Sequence, residues 1–409
     1  MAFSSKRRVV VTGLGVISSL GIGWQEFWKN LIAGKSGISK ITSFDTSQYD
    51  RHFGGEVKNF HPAKFMNRHK ADTLGRTSQM AIAAAKLALR DAHFPIKNSN
   101  KHNIAFCIGT TGGERKLIET INGDVAKNRR VTLRQANQKL VATVTENLAF
   151  SVGQELGLTG FFSVFSTACS SGNYAIGQGF DLIKRGRYDY AIVGGADSFS
   201  QMVPTGFGRL QAIAPKKCQP FDKNRRGMIP GEGAGFLFLE TLESAKKRNA
   251  KHYAEILGYG MACDAFHITE PHVEGVSKAI RKALENSKIS PREVDYFNAH
   301  GTGTKENDLT ESLAVNSVFG KYAKNLPVTS IKSMLGHTMG AAAALEAVSC
   351  CLSLKDGIIP PTINLKKIDP ECQIKCVRGK SLKRKIKVAL NNSHAFGGNN
   401  ACLILQSKS

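Results

Sequence analysis

Short apolar runs alternate with longer stretches of helical periodicity along most of the chain. Apolar runs of this length are typical of buried strands, and the stretches between them are long enough to form helices. The alternation predicts an α/β fold in which helices cover a buried sheet. The predicted strands are residues 9–12, 104–108, 190–193, 235–239, 254–259, 296–299, 328–330, 387–390 and 401–405. The predicted helices are residues 77–91, 173–184, 275–286, 308–319 and 340–355.

The chain is long enough for two domains. It has 409 residues, whereas a single domain usually has about 100–200. A polar segment at residues 243–251 separates two predicted strands and places a boundary near residue 250. The two halves are therefore residues 1–250 and 251–409. Each half is predicted to open with a strand that leads into a glycine turn, at residues 9–15 and 254–260, which favours two related halves.

The charge balance is strongly basic. The chain has 56 lysines and arginines against 32 aspartates and glutamates, a formal net charge of +24. A basic surface favours acidic partners such as nucleic acid, an anionic membrane or an acidic protein, and a plain solvated surface is the alternative. The basic clusters are short and carry neither a nucleic-acid motif nor interleaved aromatic residues, so nucleic acid is the least favoured partner. No apolar run reaches the ~20 residues that span a bilayer, so no membrane span is predicted.

The nine cysteines do not form a disulfide framework, because their number is odd and their spacing is irregular. This usage predicts a reducing compartment and hence a cytoplasmic protein. Cys372 and Cys376 are close in sequence, but no histidine lies nearby to complete a metal site, so no metal is predicted. The glycine-rich segments lack the phosphate-loop pattern and the third glycine of the dinucleotide fingerprint, so nucleotide binding is not predicted either.

One cysteine lies in a setting that favours chemistry. An apolar strand at residues 161–165 runs into the small residues around Cys169 and then into a helix. The partial positive charge of a helix N-terminus favours thiolate over thiol, and backbone N–H groups there can form an oxyanion hole. The small neighbours leave space for a substrate carbonyl. We predict that Cys169 is a nucleophile and that the other eight cysteines are structural.

Two histidines have matching positions. His300 follows a predicted strand and precedes Gly301, and His337 stands between Gly336 and an alanine-rich helix. In open α/β sheets, ligands bind at the carboxyl ends of the strands. A single histidine is more often structural, but two glycine-flanked histidines at two strand ends predict a site. Cys169, His300 and His337 are therefore predicted to act together.

Five segments resemble β-ketoacyl-[acyl-carrier-protein] synthases of the elongating kind. They are residues 167–172 (TACSSG), 230–235 (PGEGAG), 298–304 (NAHGTGT), 331–338 (IKSMLGHT) and 396–399 (FGGN), and residues 9–16 (VVVTGLGV) match as well. The resemblance implies a thiolase-like fold with two pseudo-equivalent halves, each a five-stranded mixed sheet, in a layered α-β-α-β-α arrangement. It also implies a homodimer that extends an acyl chain by two carbons through decarboxylative Claisen condensation with malonyl-acyl-carrier protein.

The resemblance implies a catalytic role for each matched residue. Cys169 would hold the acyl chain as a thioester. His300 and His337 would bind the malonyl thioester carbonyl and promote the loss of CO2. Lys332 would orient this region electrostatically, paired with Glu346 on the following helix. Two histidine donors and a cysteine suit the chemistry, because an enolate oxygen needs donors and a thiol readily accepts and releases acyl groups.

The resemblance also implies how substrates are held. The amides of Phe396 and of the nucleophile would form the oxyanion hole, Thr302 and Thr304 would contact the phosphopantetheine arm, and Thr269 and Ile108 would add substrate contacts. The substrates would arrive on the phosphopantetheine of an acyl-carrier protein, with no bound cofactor. We expect an acidic carrier protein to dock on basic residues near the entrance. These residues are Lys64, Arg68, Lys70, Lys127, Arg129 and Arg130.

The chain departs from the family pattern mainly in one loop. His394 and Ala395 stand where a phenylalanine and a glycine are usual, and Asn399 stands where a threonine is usual. Ala343 replaces a usual glycine, and the loop at residues 108–113 is one residue short. None of these departures touches the nucleophile or the two histidines. They leave open whether the enzyme serves ordinary fatty-acid elongation or a specialised lipid or secondary-metabolite pathway.

Overall fold

The computed structural model describes residues 7–97, 100–127 and 140–408. The strands in the first half of the chain are β1 (Val9–Ser18), β2 (Gly21–Ile22), β3 (Ser39–Lys40), β4 (Phe53–Gly54), β5 (Ile104–Gly109), β6 (Phe162–Phe165), β7 (Tyr190–Asp197) and β8 (Gly233–Thr241). The strands in the second half are β9 (Ala254–Cys263), β10 (Tyr296–Asn298), β11 (Pro327–Thr329), β12 (Ile358–Ile359), β13 (Lys375–Cys376), β14 (Leu382–Lys383), β15 (Val388–Ser393) and β16 (Asn399–Gln406). The helices are α1 (Trp24–Ile32), α2 (Arg68–Thr73), α3 (Arg76–Asp91), α4 (Arg115–Ala126), α5 (Asn147–Leu156), α6 (Ser171–Lys184), α7 (Met202–Arg209), α8 (Leu242–Lys247), α9 (Val273–Ser287), α10 (Lys305–Phe319), α11 (Lys332–Leu335) and α12 (Ala342–Asp356).

Two five-stranded arrays with the same strand order form the frame of the protein. The first has the order β6-β5-β7-β8-β1, and the second has the order β11-β10-β15-β16-β9. In both arrays the first three strands are parallel and the last two are antiparallel to their neighbours. When the five strands of each array are numbered in the order in which they occur in the chain, both arrays have the order 3-2-4-5-1. The two halves are therefore pseudo-equivalent, as predicted. The second array also carries the short strand β13 beside β11.

Helices cover both faces of each array. α6 packs on β5 and β7 and also contacts β9 and β16, while α12 packs on β8 of the first array and β15 of the second. These two central helices therefore lie between the arrays. α3 packs on β1 and β8 from the outside, and α9 packs on β9 and β16 from the outside. The layers follow the predicted α-β-α-β-α order.

The two arrays are joined at one corner. Residues 9–11 of β1 pair antiparallel with residues 254–256 of β9. A single twisted sheet therefore continues from one half into the other, so the halves share backbone hydrogen bonds as well as packed helices. The division of the chain into domains at residue 250 stays a prediction.

The glycines near the start of each half do not form the predicted turns. β1 and β9 continue as strands past Gly15 and Gly260. A Cβ on Gly15 would lie 1.8 Å from the carbonyl oxygen of Ala84 in α3, and one on Gly260 would lie 2.2 Å from that of Ala279 in α9. The turn prediction is wrong, because these glycines instead allow the outer helices to approach the strands closely.

The other predicted elements are present. Every predicted strand and helix has a counterpart, although many extend beyond the predicted ends. Sequence periodicity missed the two-residue strands and seven of the helices described here, which are α1, α2, α4, α5, α7, α8 and α11. All nine cysteines are free thiols. Among the described residues, no helix combines the length and the apolar character that a bilayer span requires.

Candidate active site

The predicted site residues lie beyond the carboxyl ends of parallel strands. β6 leads into a 3-10 turn that contains Cys169, β10 ends two residues before His300, and β11 is followed by α11 and then His337. Gly172, at the start of α6, packs directly on the backbone of Ala344 at the start of α12. This contact brings the turn with the nucleophile against the turn that follows the second histidine.

The two turns have the same backbone conformation. Ala168 has φ 48° and Met339 has φ 51°, and each is the first residue of a 3-10 turn before one of the central helices. A positive φ costs roughly 1 kcal/mol or more in a residue that has a Cβ. The surrounding structure must therefore hold both turns in place. The two positions correspond to each other in the pseudo-equivalent halves.

Cys169, His300 and His337 open into one cavity of about 270 Å³. The sulfur of Cys169 and one ring nitrogen of each histidine all lie within 4.8 Å of one another. The two histidine rings meet edge to face with their centres 5.3 Å apart. The predicted substrate contacts that line the same cavity are Thr269, Thr302, Thr304 and Phe396.

Lys332 and Glu346 form a buried ion pair behind the cavity. The ammonium group of Lys332 also donates to Nδ1 of His300 over 3.3 Å. Burial raises the pKa of Glu346 to about 7, while the charge of Lys332 lowers it. Neither residue lines the cavity. The pair therefore lies behind His300, away from the space that a substrate could occupy.

Hydrogen bonds set the tautomers of His300 and His337. Nδ1 of His300 accepts from Lys332, and Nδ1 of His337 accepts from the backbone N–H of Met339 over 3.1 Å. A neutral imidazole has a single N–H, so each ring carries its proton on Nε2. Burial and the charge of Lys332 hold the pKa of both rings well below the ordinary value. Each ring therefore offers a neutral Nε2–H donor.

These tautomers argue against a metal ion, although the thiol and the rings are close enough to bind one. Zn²⁺ binds a ring nitrogen through its lone pair. Here Nδ1 already accepts a hydrogen bond in each ring, and Nε2 carries the proton. The ammonium group of Lys332 adds an unfavourable positive charge beside the site. The donor set suits a substrate oxygen better than a cation.

The thiol of Cys169 is protonated at neutral pH. Burial raises its pKa to about 12, although the charge of Lys332 lowers it. The loss of water around the sulfur therefore outweighs the effect of the nearby charge of Lys332. The contribution of the helix N-terminus to the pKa stays a prediction.

A third histidine lies in the cavity wall. The ring of His394 is buried, with its centre 5.3 Å from that of His300. Its Nε2 accepts from the amide of Asn392 over 2.7 Å, and its Nδ1 donates to the side-chain carbonyl of Asn307 over 3.3 Å. Burial lowers its pKa to about 3, so the ring is neutral. It ties the loop that leads to Phe396 to α10, which a phenylalanine could not do.

Two buried carboxylates that sequence analysis missed hold the backbone around the site. Glu311 of α10 accepts from the backbone N–H of His300 over 2.8 Å. Asp197, at the end of β7, accepts from the backbone N–H groups of Thr111 and Gly340, each over 2.7 Å, and so links the two halves. The position of Asp197 directly after an apolar strand was a usable signal. Glu311 lies within a helix and gave no comparable signal.

Ile108 does not line the cavity. It lies in β5, where Ile104, Phe106 and Ile108 all point into the apolar cluster beneath α3. Cys107 belongs to the opposite cluster, as alternation along a strand requires. The predicted contact between Ile108 and substrate therefore finds no support in the cavity geometry.

The predicted docking residues lie on several surface segments. Those that are exposed are Lys64, Arg68 and Lys127. Lys70 is only partly exposed and forms an ion pair with Glu155 over 3.0 Å. Arg129 and Arg130 lie outside the described residues. Their contact with a carrier protein stays a prediction.

Comparison with known proteins gives the family. Residues 6–245 match the family described as "Beta-ketoacyl synthase, N-terminal domain", and residues 253–366 match "Beta-ketoacyl synthase, C-terminal domain". A protein from Synechocystis sp. named 3-oxoacyl-[acyl-carrier-protein] synthase 2 is 39% identical over 416 residues, which cover 98% of this chain and 99% of that protein.

Solved structures share the fold over nearly the whole chain. The structure titled "The ishigamide ketosynthase/chain length factor" superposes with a TM-score of 0.94 at 40% identity, covering 98% of this chain and 100% of that one. A second structure is titled "AntDE:AntF (apo): type II PKS acyl-carrier protein in complex with its ketosynthase bound to the hexaketide". It superposes with a TM-score of 0.89 at 30% identity, over 98% of this chain and 100% of that one.

The fold and the cavity are those of a thiolase-like condensing enzyme. The chain belongs to the beta-ketoacyl synthase family. It is an acyltransferase that forms carbon–carbon bonds, and the predicted reaction class, elongating condensation of carrier-bound acyl units, is confirmed. No match supports the nucleic-acid alternative.

Alkylation of Cys169 by iodoacetamide is expected to accelerate about tenfold per pH unit from pH 7 to pH 10. The reason is that the reactive thiolate is a small fraction of the thiol below a pKa of about 12. Peptide mass mapping would follow Cys169 separately from the exposed Cys263, which serves as the internal reference. A rate at Cys169 that levels off between pH 7 and pH 9 would contradict the raised pKa.

The double variant His394→Phe with Ala395→Gly is expected to shift the acyl-length preference without abolishing decarboxylation. It removes the hydrogen bond to Asn307 and frees the backbone before Phe396. Loading and condensation rates would be measured with short, medium and long acyl chains. We expect the ratio of the condensation rates with preferred and disfavoured chain lengths to change about tenfold. Asn307→Leu removes the same bond from its other end and should shift the preference in the same direction. An unchanged profile in both variants would mean that this loop does not select chain length.

Proposed function

We propose that Cys169 carries the growing acyl chain while His300 and His337 activate the malonyl unit. The observation that supports this most strongly is the convergence of the sulfur and two ring nitrogens within 4.8 Å in one cavity. A nucleophile and two donors around one space suit a reaction in which an acyl thioester and an enolate must meet. Lys332 and Glu346 are proposed to position His300.

Acyl loading is the first step. The sulfur of Cys169 attacks the thioester carbonyl of the acyl-carrier protein, and the bond to the phosphopantetheine sulfur breaks. The proton of the Cys169 thiol passes to the departing phosphopantetheine, so charge is balanced. The developing oxyanion accepts hydrogen bonds from the backbone N–H groups of Cys169 and Phe396. Each lies at the start of a 3-10 turn, where N–H groups have no partner within the turn.

Decarboxylation and condensation follow. The malonyl thioester loses CO2, and its electron pair forms an enolate whose oxygen accepts hydrogen bonds from Nε2–H of His300 and His337. The enolate carbon then attacks the acyl carbonyl on Cys169. A carbon–carbon bond forms, the carbon–sulfur bond breaks, and the departing thiolate takes up one proton from solvent water. The product is a β-ketoacyl chain, two carbons longer, on the carrier protein.

Neutral rings can supply the donors that this chemistry needs. Both rings are neutral, and because Nδ1 of each already accepts a hydrogen bond, the single proton stays on Nε2 and is available to the substrate. A buried site with few water molecules strengthens these bonds. Thr302 and Thr304, whose hydroxyl oxygens are 2.9 Å apart in the cavity wall, are proposed to hold the phosphopantetheine arm. Thr269 lies in the same wall.

The proposed partners are an acyl-carrier protein and a second copy of the chain. An acidic carrier protein suits a chain with a net charge of +24. The copy would pair along β6, which lies at the end of its array and has a neighbouring strand on one side only among the described residues. Phe150, Phe162 and Val164 form an apolar groove beside this edge, and Phe150 is largely exposed. The nine unpaired cysteines fit a cytoplasmic location.

A specialised pathway is the second proposal, beside ordinary fatty-acid elongation. His394 and Asn307 make one part of the cavity wall polar where the family pattern has an apolar ring. A plain alkyl chain gains less from burial against a polar wall than against an apolar ring, which favours acyl chains that carry polar or unsaturated groups. The similarity to the structure titled "The ishigamide ketosynthase/chain length factor" supports this second proposal.

Cys169→Ala is expected to abolish acyl loading and condensation. His300→Ala and His337→Ala should keep some loading but lower condensation about 100-fold or more, because each removes a donor to the enolate oxygen. Intact mass after exposure to acyl-carrier proteins reports loading, and CO2 release reports decarboxylation. Cys376→Ala, in the short strand β13, is the matched control. Condensation at the normal rate by Cys169→Ala would refute the proposal.

Reversal of charge at Lys64 and Arg68 is expected to raise the KM for the acyl-carrier protein about tenfold and to reduce its salt dependence. Activity on small acyl thioesters should not change. The matched control reverses the charges of Lys246 and Lys247 in α8. This helix follows the carboxyl end of β8, which pairs with the start of β7, so it lies at the side of the sheet opposite the site. Equal loss with both substrate types would show that the first pair is structural.

A further inference from the structure

A line of buried side-chain amides connects the two halves behind the cavity. Its members are Asn298, Asn391 and Asn173, which we call the amide chain, and all three are almost completely buried. The hydroxyl of Tyr296 donates to Asn298 at one end over 3.2 Å. At the other end Asn173 donates to the hydroxyl of Ser393 over 2.9 Å.

Hydrogen bonds run through the amide chain in one direction. The amide of Asn298 donates to the side-chain carbonyl of Asn391 over 2.9 Å, and the amide of Asn391 donates to that of Asn173 over 3.0 Å. Asn391 also donates to the backbone carbonyl of Ala343 over 2.8 Å. Within the described part of the protein, none of the three amides has a buried polar atom without a partner.

The outer members of the amide chain belong to the segments that carry the nucleophile and the first histidine. Asn173 lies in the first turn of α6, four residues after Cys169. Asn298 is the last residue of β10, two residues before His300. The first segment belongs to one half of the protein and the second to the other. The amide chain therefore spans the junction between them.

The central member joins the remaining two site segments. Asn391 lies in β15, which leads into the loop with Phe396. Its second acceptor, the carbonyl of Ala343, is in the first turn of α12, directly after the turn that follows His337. The carboxamide of Asn391 thus contacts the segments next to Cys169, His300 and His337, and Asn391 itself belongs to the strand that leads to Phe396.

We propose that Asn173, Asn391 and Asn298 are positioning residues that set the distance between Cys169 and the two histidines. This inference rests on the roles proposed above for those three residues. Each carboxamide has one donor end and one acceptor end, so the order of bonds admits a single arrangement of the segments. In a dry interior, a shift that broke any of these bonds would leave a polar group unpaired. Apolar side chains would tolerate such a shift.

The first test is Asn173→Ala, which removes one end of the amide chain. We expect kcat for condensation to fall about 10- to 100-fold, because a misplacement of about 1 Å in an active site can cost this much. The KM for acyl- and malonyl-carrier substrates should stay within about twofold, since no surface contact changes. An unchanged kcat in the folded Asn173→Ala enzyme would overturn the proposal.

A paired variant separates positioning from stability. Asn391→Leu leaves polar groups of Asn173 and Asn298 unpaired, so it should lower both the melting temperature and kcat. Adding Asn173→Leu removes one unpaired group and should restore part of the melting temperature. We expect kcat to stay low in the double variant. Recovery of kcat together with the melting temperature would show a merely structural role. If neither variant folds, Asn173→Ala decides the matter.

Two controls complete the design. Asn316 of α10 donates to the carbonyls of Ser312 and Gln373 over 2.8 and 3.0 Å, so Asn316→Leu loses two amide bonds that lie away from the site and are less buried than those of the amide chain. It should lower the melting temperature but leave kcat within about twofold. Cys169→Ala is assayed in parallel. A normal Asn173→Ala enzyme beside an inactive Cys169→Ala enzyme would refute only the amide chain, whereas an active Cys169→Ala enzyme would refute the proposed function.

Discussion

The first turn of α6 packs on the backbone of the first turn of α12, and β7 packs on the turn before α12. A Cβ on Gly172 would lie 2.7 Å from the backbone nitrogen of Ala344, and one on Gly195 would lie 2.4 Å from the carbonyl oxygen of Gly340. Such distances leave room only for hydrogen at these positions. The two halves therefore approach each other backbone to backbone. Neither half alone could build the site, because one supplies Cys169 and the other supplies His300 and His337.

One buried charge governs the chemistry of the site. Lys332 is held in place by Glu346, and its ammonium group lies next to His300. The same charge disfavours protonation of both histidines and favours loss of the proton from Cys169. Burial of the sulfur opposes the loss of the proton from Cys169, and this effect is larger than that of Lys332. The outcome is a site with a protonated thiol and two neutral donors.

Polar groups behind and beside the cavity distinguish this chain from a simple apolar acyl pocket. His394 and Asn307 form one such group, and the amide chain forms another. Their hydrogen bonds are buried, so each fixes a geometry that apolar packing alone would leave loose. We infer that the pair of His394 and Asn307 affects substrate choice and that the amide chain affects the alignment of the two halves.

The order of the main strands and helices and the candidate group of Cys169, His300 and His337 were predictable from the sequence, because each has a signal within a few neighbouring residues. The role of Gly15, the position of Ile108 and the protonated thiol of Cys169 were not. Local patterns report residues two to four positions apart, whereas burial and pKa depend on every group that surrounds an atom. The hydrogen bond from Gly340 to Asp197 joins residues 143 positions apart. Such contacts exist only once the two halves have come together, so the tertiary structure alone decided the electrostatics of the site.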